Sequence, residues 1–159
     1  MKKNKGFTLI ELLVSIAIIG VLMTVVLITI SAAKNKNADA SVKQGLSSIP
    51  SQSGVFYLDN DTYAGFCSPV VSKSAYPIVL GAAQIMGFSG AVVNGTDKSI
   101  PLGDMETSLE TPTCNNSTSA WAVEVPLRST PNTMFCVDSA GFAGITTSSM
   151  GSNVFCPTS

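Results

Sequence analysis

The sequence predicts an α+β fold: a long N-terminal hydrophobic stalk helix continuing into a small head of antiparallel strands packed on that helix. Three observations carry the prediction. An uncharged apolar run opens the chain, an apolar stripe at helical spacing follows it, and strand-like segments with four cysteines fill the remainder. At 159 residues the chain has room for one domain and an appendage. It is 45% hydrophobic but only 12% charged, about half the usual charged share of a soluble domain. The deficit is local, because no ionisable side chain lies between Glu11 and Lys34.

The N-terminal segment comes first. Lys2, Lys3 and Lys5 precede Gly6, and Phe7 opens an apolar run that a single acid, Glu11, interrupts. The uncharged stretch Leu12–Ala33 is about 33 Å long as a helix, enough to cross a bilayer core of about 30 Å. It holds no proline, and Gly20 is its one strong helix weakener. Three readings compete. A secretory signal peptide shares the lysines and could end at Ser31-Ala32-Ala33, but its apolar core is shorter and free of acid. A plain membrane anchor leaves Glu11 unexplained. The third reading uses Glu11, since a carboxylate inside an apolar segment costs several kcal/mol unless it finds a partner.

The run Lys5-Gly6-Phe7-Thr8-Leu9-Ile10-Glu11-Leu12-Leu13-Val14 resembles the N-terminus of class III signal-sequence proteins, the type IV prepilins and pseudopilins. The resemblance implies that a prepilin peptidase cuts between Gly6 and Phe7 and methylates the new N-terminus on Phe7. It divides the chain into a leader peptide (1–6), a transmembrane and filament-core helix (7–33) and a globular pilin-like head (34–159). It also gives Glu11 an assembly role: the carboxylate neutralises the N-terminal amine of a neighbouring copy inside a water-free core. The implied function is a structural subunit of a type IV pilus-like filament, serving adhesion, motility or DNA uptake. The alternatives are a type II secretion pseudopilin and a membrane-anchored binding module that does not polymerise. Implied partners are copies of this chain or other pilins, the peptidase, inner-membrane assembly machinery, and the membrane before assembly. Localisation follows as a single pass of the bacterial cytoplasmic membrane with the head outside, then an extracellular filament. The flanking lysines do not settle orientation alone, with Lys34, Lys36 and Lys43 following the span. One departure stands out: many major pilins carry a proline midway along this stalk, where the helix loosens on assembly, and this chain has none before Pro50. Residues 8–55 also contain no aromatic, which gives no support to an electron-conducting filament core. Ala17, Gly20, Thr24 and Ser31 fall near one helical face, as close helix packing favours, although small residues are common in spanning helices generally.

Beyond residue 34 the helix continues. Val42, Leu46, Ile49 and Phe56 recur at helical spacing, and Pro50 inside that pattern predicts a kink or break. Asp59-Asn60-Asp61-Thr62 reads as a terminating turn, with a calcium site the less favoured reading. Tyr76–Leu80 is read as a strand and Ala82–Met86 as a short helical turn. In Ala120–Leu127, the residues Trp121, Val123, Val125 and Leu127 alternate with Ala122 and Glu124, a half-buried strand. Met134–Asp138 is the next strand, turned by Ser139-Ala140-Gly141. The stretch Phe135–Gly141 is also similar to a C-terminal motif in a subset of pilin-like sequences. Arg128 and Asp138 are candidates for an ion pair or for separate solvated charges.

Cys67, Cys114, Cys136 and Cys156 all lie on the head, an even count that suggests two disulfides in an exported domain. Spacing leaves three pairings open. The family resemblance implies Cys136–Cys156, closing a C-terminal loop, and hence Cys67–Cys114. Without a CxxC pair, a four-cysteine zinc site is disfavoured, and no metal or cofactor is expected. Sequons at Asn60, Asn94, Asn115 and Asn116 are what an Asn/Ser/Thr-rich surface yields by accident. Ser31-Ala-Ala-Lys34 matches SxxK without a companion motif. The chain has no histidine, no GxxxxGK and no GxGxxG, which removes the common hydrolase, metalloprotease and nucleotide-binding readings, so no enzyme is expected. Without the three leader lysines, six basic residues face ten acids, a formal −4, so no nucleic-acid contact is expected from charge.

Overall fold

A computed structural model describes residues 7–88 and 111–157. The leader, with Gly6, and the sequon at Asn94 lie outside the described residues. The chain divides into two compact units, one ending at Asn35 and the other beginning at Lys36. Helix α1 spans Leu9–Ser47, and α2 resumes at Ile49 and runs to Asn60. Pro50 explains the interruption between them. It has no N–H to donate to Leu46, and its ring would crowd that carbonyl. At Ser48 the backbone N–H turns instead to the Gly45 carbonyl, at 3.1 Å, and the Ser48 hydroxyl donates to the same oxygen at 2.7 Å. Pro50 then occupies the first turn of α2, where its missing N–H has no partner to lose. The helix ends at Asp61, left-handed with φ 55°, whose N–H donates to Tyr57 O at 2.8 Å.

The stripe Val42, Leu46, Ile49 and Phe56 is fully buried, as its spacing predicts. Phe56 packs edge-on against Phe66 at 5.1 Å between centroids, and Phe66 against Trp121 at 5.4 Å. This aromatic row is the centre of the head.

Tyr76–Ile85 forms one continuous helix, α3, in place of the predicted strand and separate turn. Two features override the strand reading. Pro77 sits in the first helical turn, and Val79, Ala82, Ala83 and Met86 are buried at spacings of three, four and seven. The short apolar run was ambiguous between periods, and the core decides for the helical one. α3 closes in a Schellman motif, with Phe88 N–H donating to Ala83 O at 3.0 Å and Gly87 N–H to Gln84 O at 2.9 Å. Gly87 has φ +87°, a backbone conformation that demands glycine, and an added Cβ would lie 2.6 Å from Arg128 Nη2, so the guanidinium would also have to move aside.

Strands β1 (Thr113–Asn116), β2 (Trp121–Pro126), β3 (Met134–Asp138) and β4 (Ala143–Thr146) form an antiparallel meander in the order β1-β2-β3-β4. Cys114 opposes Val123, and Glu124 opposes both Thr113 and Cys136. One face, carrying Cys114, Trp121, Val123, Val125, Phe135 and Val137, joins the helical core. The expected exposure of the alternate face is not found: Ala122 and Glu124 are both fully buried. The cause is the C-terminal segment, whose Met150 and Cys156 cluster with Ala122 and Cys136 on that second face. Strands β2 and β3 are thus covered on both sides, while β4 stays largely exposed. Disulfides join Cys67 to Cys114 and Cys136 to Cys156. Arg128 and Asp138 do not pair with each other: Arg128 Nε donates to Met86 O at 3.1 Å, while Asp138 is buried and accepts backbone N–H groups of Ala140, Phe142 and Cys156.

One acid of α1 fixes the helix to the turn that follows β2. Asp39, 3% exposed on α1, accepts from Arg128 N–H at 2.7 Å, Ser129 N–H at 2.9 Å and the Ser129 hydroxyl. Burial alone would raise its pKa, but the Ser129 hydroxyl, the two amides and the charge of Lys43 together outweigh burial and lower it. A carboxyl lowered in the folded state contributes stability above its unfolded pKa of about 3.9 and loses it as pH falls through the folded value.

Two outcomes follow from this packing. Replacing Phe56 by alanine costs about 3–5 kcal/mol in denaturant unfolding, the range for truncating a buried phenylalanine. The Asp39→Asn variant loses stability at neutral pH and shows a shallower stability loss than the wild type on titration below about pH 4, followed by thermal melting.

Candidate functional site

The segment beginning at Phe7 combines an exposed aromatic, a helix start and a lone acid. Thr8 is the N-cap of α1. Its backbone N–H donates to Glu11 Oε2 at 2.9 Å and its hydroxyl to the same oxygen at 2.7 Å. In return, Glu11 N–H approaches Thr8 Oγ1 at 3.4 Å. This is a capping box: threonine at the N-cap and glutamate three residues on satisfy orphan N–H groups at the helix start. The spacing Thr8-Leu-Ile-Glu11 signals it in the sequence, and it gives Glu11 a local partner. Both bonds fall on Oε2, and among the described residues Oε1 has none. Phe7, Ile10, Glu11, Val14 and Ser15 share one exposed helical face, so the carboxylate has apolar neighbours along the helix.

From Phe7 to Val26 every large apolar side chain is exposed, Phe7 at 83% and Leu9 at 76%. Mean hydropathy in the helix reaches 2.9 over an 18-residue window, of which none is buried. A helix apolar on all sides requires a non-aqueous surrounding, either lipid or other helices. Two of its hydroxyls are satisfied internally, Ser15 donating to Glu11 O at 2.7 Å and Thr24 to Val21 O at 2.8 Å. Of the small residues, Gly20 has no atom within 4 Å of a built Cβ, which leaves its backbone open to close approach.

The head offers less chemistry. Among the described residues no group of three or more His, Cys, Asp or Glu is placed to hold a metal. Asp59 instead pairs with Lys73 Nζ at 2.6 Å, an exposed pair of about 0–1 kcal/mol. Asn115, a sequon position, is fully buried and donates to Gly151 O and Asn153 O, both at 2.7 Å, which closes it to modification in the folded head. Asn116 is also buried, its Oδ1 accepting from Cys67 N–H at 3.1 Å.

Comparison with known proteins agrees with the arrangement. The family model for the prokaryotic N-terminal methylation motif matches residues 1–27. Over 105 residues the chain is 35% identical to the type IV wide pilus major component PilA4 of Thermus thermophilus, covering 58% of this chain and 80% of that protein. No solved structure matches it. The methylation motif heads a long apolar helix, a four-stranded antiparallel sheet follows, and the likeness spans four-fifths of a curated pilin: the chain belongs to the type IV pilin family.

Proposed function

We propose that this chain is a structural subunit of a type IV pilus that polymerises through its N-terminal helix. The observation that carries the proposal is the uncovered apolar surface of α1 headed by the methylation motif. Its relative is a major component of a wide pilus, which favours a pilus over a secretion pseudopilus. The family is a structural one, and its members are processed by a prepilin peptidase and polymerise into filaments.

In this reading residues 1–6 are the leader, 7–33 the membrane and filament-core helix, and 34–159 the head. Cleavage falls between Gly6 and Phe7, and Phe7 carries the methylated amine. Before assembly the subunit crosses the cytoplasmic membrane once, with the head outside. The assembly machinery then extracts it, and α1 moves from lipid to the company of neighbouring helices. Apolar burial supplies most of the cohesion.

Glu11 sets the register. A methylated amine remains cationic, and burying it in a water-free core is costly unless a carboxylate meets it. Thr8 occupies one carboxylate oxygen of Glu11, which leaves the other for the amine of the incoming copy. Removing the carboxylate strands a buried charge at about 3–5 kcal/mol per subunit contact.

Protein sheared from cells, analysed by intact mass and N-terminal sequencing, tests this reading. Wild-type filaments contain a chain beginning at N-methylated Phe7. The Glu11→Ala protein is processed in the same way but stays in the membrane, with filament yield down roughly 100-fold or more. A mature chain beginning after Ala33, or normal shedding by Glu11→Ala, replaces the filament model with a secreted or membrane-anchored binding module.

A further inference from the structure

The second face of the sheet holds a buried acid for which pilus assembly, as described above, has no use. The C-terminal segment over that face is held by three side chains, one from each of the first three strands. Asn115 donates to the carbonyls of Gly151 and Asn153, Asp138 accepts from Cys156 N–H at 2.9 Å, and Glu124 accepts from the Ser149 hydroxyl at 2.5 Å and from Met150 N–H at 2.9 Å. The Cys136–Cys156 disulfide tethers the far end.

Glu124 is fully buried, and among the described residues no ion pair to it is found. Across the ladder it faces Thr113 on β1 and Cys136 on β3, the latter locked in the disulfide. Strands β1, β3 and β4 and residues 147–157 carry no Lys, Arg or His. Apart from the bonded cysteines, Asp138 is the one ionisable side chain among them, and it is an acid rather than a base. A buried carboxylate without a counter-ion is costly, and proton uptake is the ordinary relief. Burial raises the pKa of Glu124, and the hydrogen bonds from Ser149 and Met150 offset only part of that rise.

The hydrogen-bond pattern accommodates both states. Ionised Glu124 accepts only, so Ser149 O–H and Met150 N–H must both point at it. Protonated on Oε1, it donates to Ser149 Oγ and still accepts Met150 N–H on Oε2. Both contacts survive, and the buried charge is gone.

We propose that Glu124 is a proton-operated latch that fastens residues 149–151 over the second face of the sheet. With a proton on Glu124 the latch is firm. When the proton leaves, Ser149–Gly151 opens more often while the disulfide keeps the chain end in place, and Met150 uncovers Ala122 and Cys136. The sign follows from linkage: a carboxyl raised in the closed state contributes stability fully present below its open-state pKa of about 4.3 and lost as pH rises through the closed-state value. Asp39 has the opposite sign and is an internal control. The latch is a property of the head and does not depend on polymerisation.

Amide hydrogen exchange on the full chain in detergent, corrected for intrinsic rates, tests the latch between pH 4 and 8. Protection at Met150 falls as pH rises, by up to tenfold per pH unit for one proton, while protection at Arg128 and Ser129 does not fall. Glu124→Gln, whose amide donates to Ser149 Oγ and accepts Met150 N–H, holds Met150 protection flat with pH at or above the wild-type acid value. Wild-type protection at Met150 that is flat or rises with pH, or a Gln variant that follows the wild type, overturns the proposal. Should the variant fail to fold, the side-chain carboxyl ¹³C titration of Glu124 in the unsubstituted chain decides. A midpoint above 4.3 with parallel loss of Met150 protection supports the latch, and a midpoint at or below it refutes it.

Discussion

Everything in this chain turns on the need to keep the N-terminal half of α1 out of water. A helix with large apolar side chains on every face gains nothing from folding alone, because from Phe7 to Val26 those side chains stay exposed. Its free energy is recovered only in lipid or among other helices. The head, by contrast, completes its own core around Phe56, Phe66 and Trp121. One half of the molecule is finished in isolation and the other is finished only by assembly, which is the physical requirement for a polymerising subunit.

Within that constraint, the charged groups do specific tasks. Glu11 is tolerated in an apolar run because Thr8 caps it at the helix start, where backbone N–H groups are otherwise orphaned. Asp39 holds α1 to the turn between β2 and β3 through two amides and a hydroxyl. Glu124 and Asp138 hold the C-terminal segment through backbone N–H groups. In each case an acidic side chain, protonated at Glu124 when the latch is firm, meets backbone groups that no strand or helix partner reaches, so the acids of a charge-poor chain act mainly as caps and clasps.

Much of this was legible in the sequence. The long helix, its break at Pro50, the buried stripe and the strands around Trp121 and Met134 follow from period, proline chemistry and alternation. The motif from Gly6 to Glu11 carried the family. Other parts were not legible, for identifiable reasons. Tyr76–Leu80 is too short for its period to separate strand from helix, and Pro77 was the signal that went unused. β1 (Thr-Cys-Asn-Asn) has no apolar alternation and exists because β2 offers it an edge, while Asn115 and Asn116 find partners far away in sequence. β4 likewise depends on its neighbour β3. Burial of Ala122 and Glu124 depends on a C-terminal segment that no local pattern places over the sheet. The capping box at Thr8 and Glu11 is legible in the sequence from the spacing of threonine and glutamate alone.

The most direct test of the central claim is the distance between the Phe7 amine of one copy and the Glu11 carboxylate of another, measured in assembled filaments by solid-state NMR on mixed-label subunits. The account predicts a contact of about 3–4 Å between copies, at salt-bridge distance. An amine with no carboxylate of a neighbouring copy in reach, and Glu11 engaged by its own Thr8 alone, would contradict it.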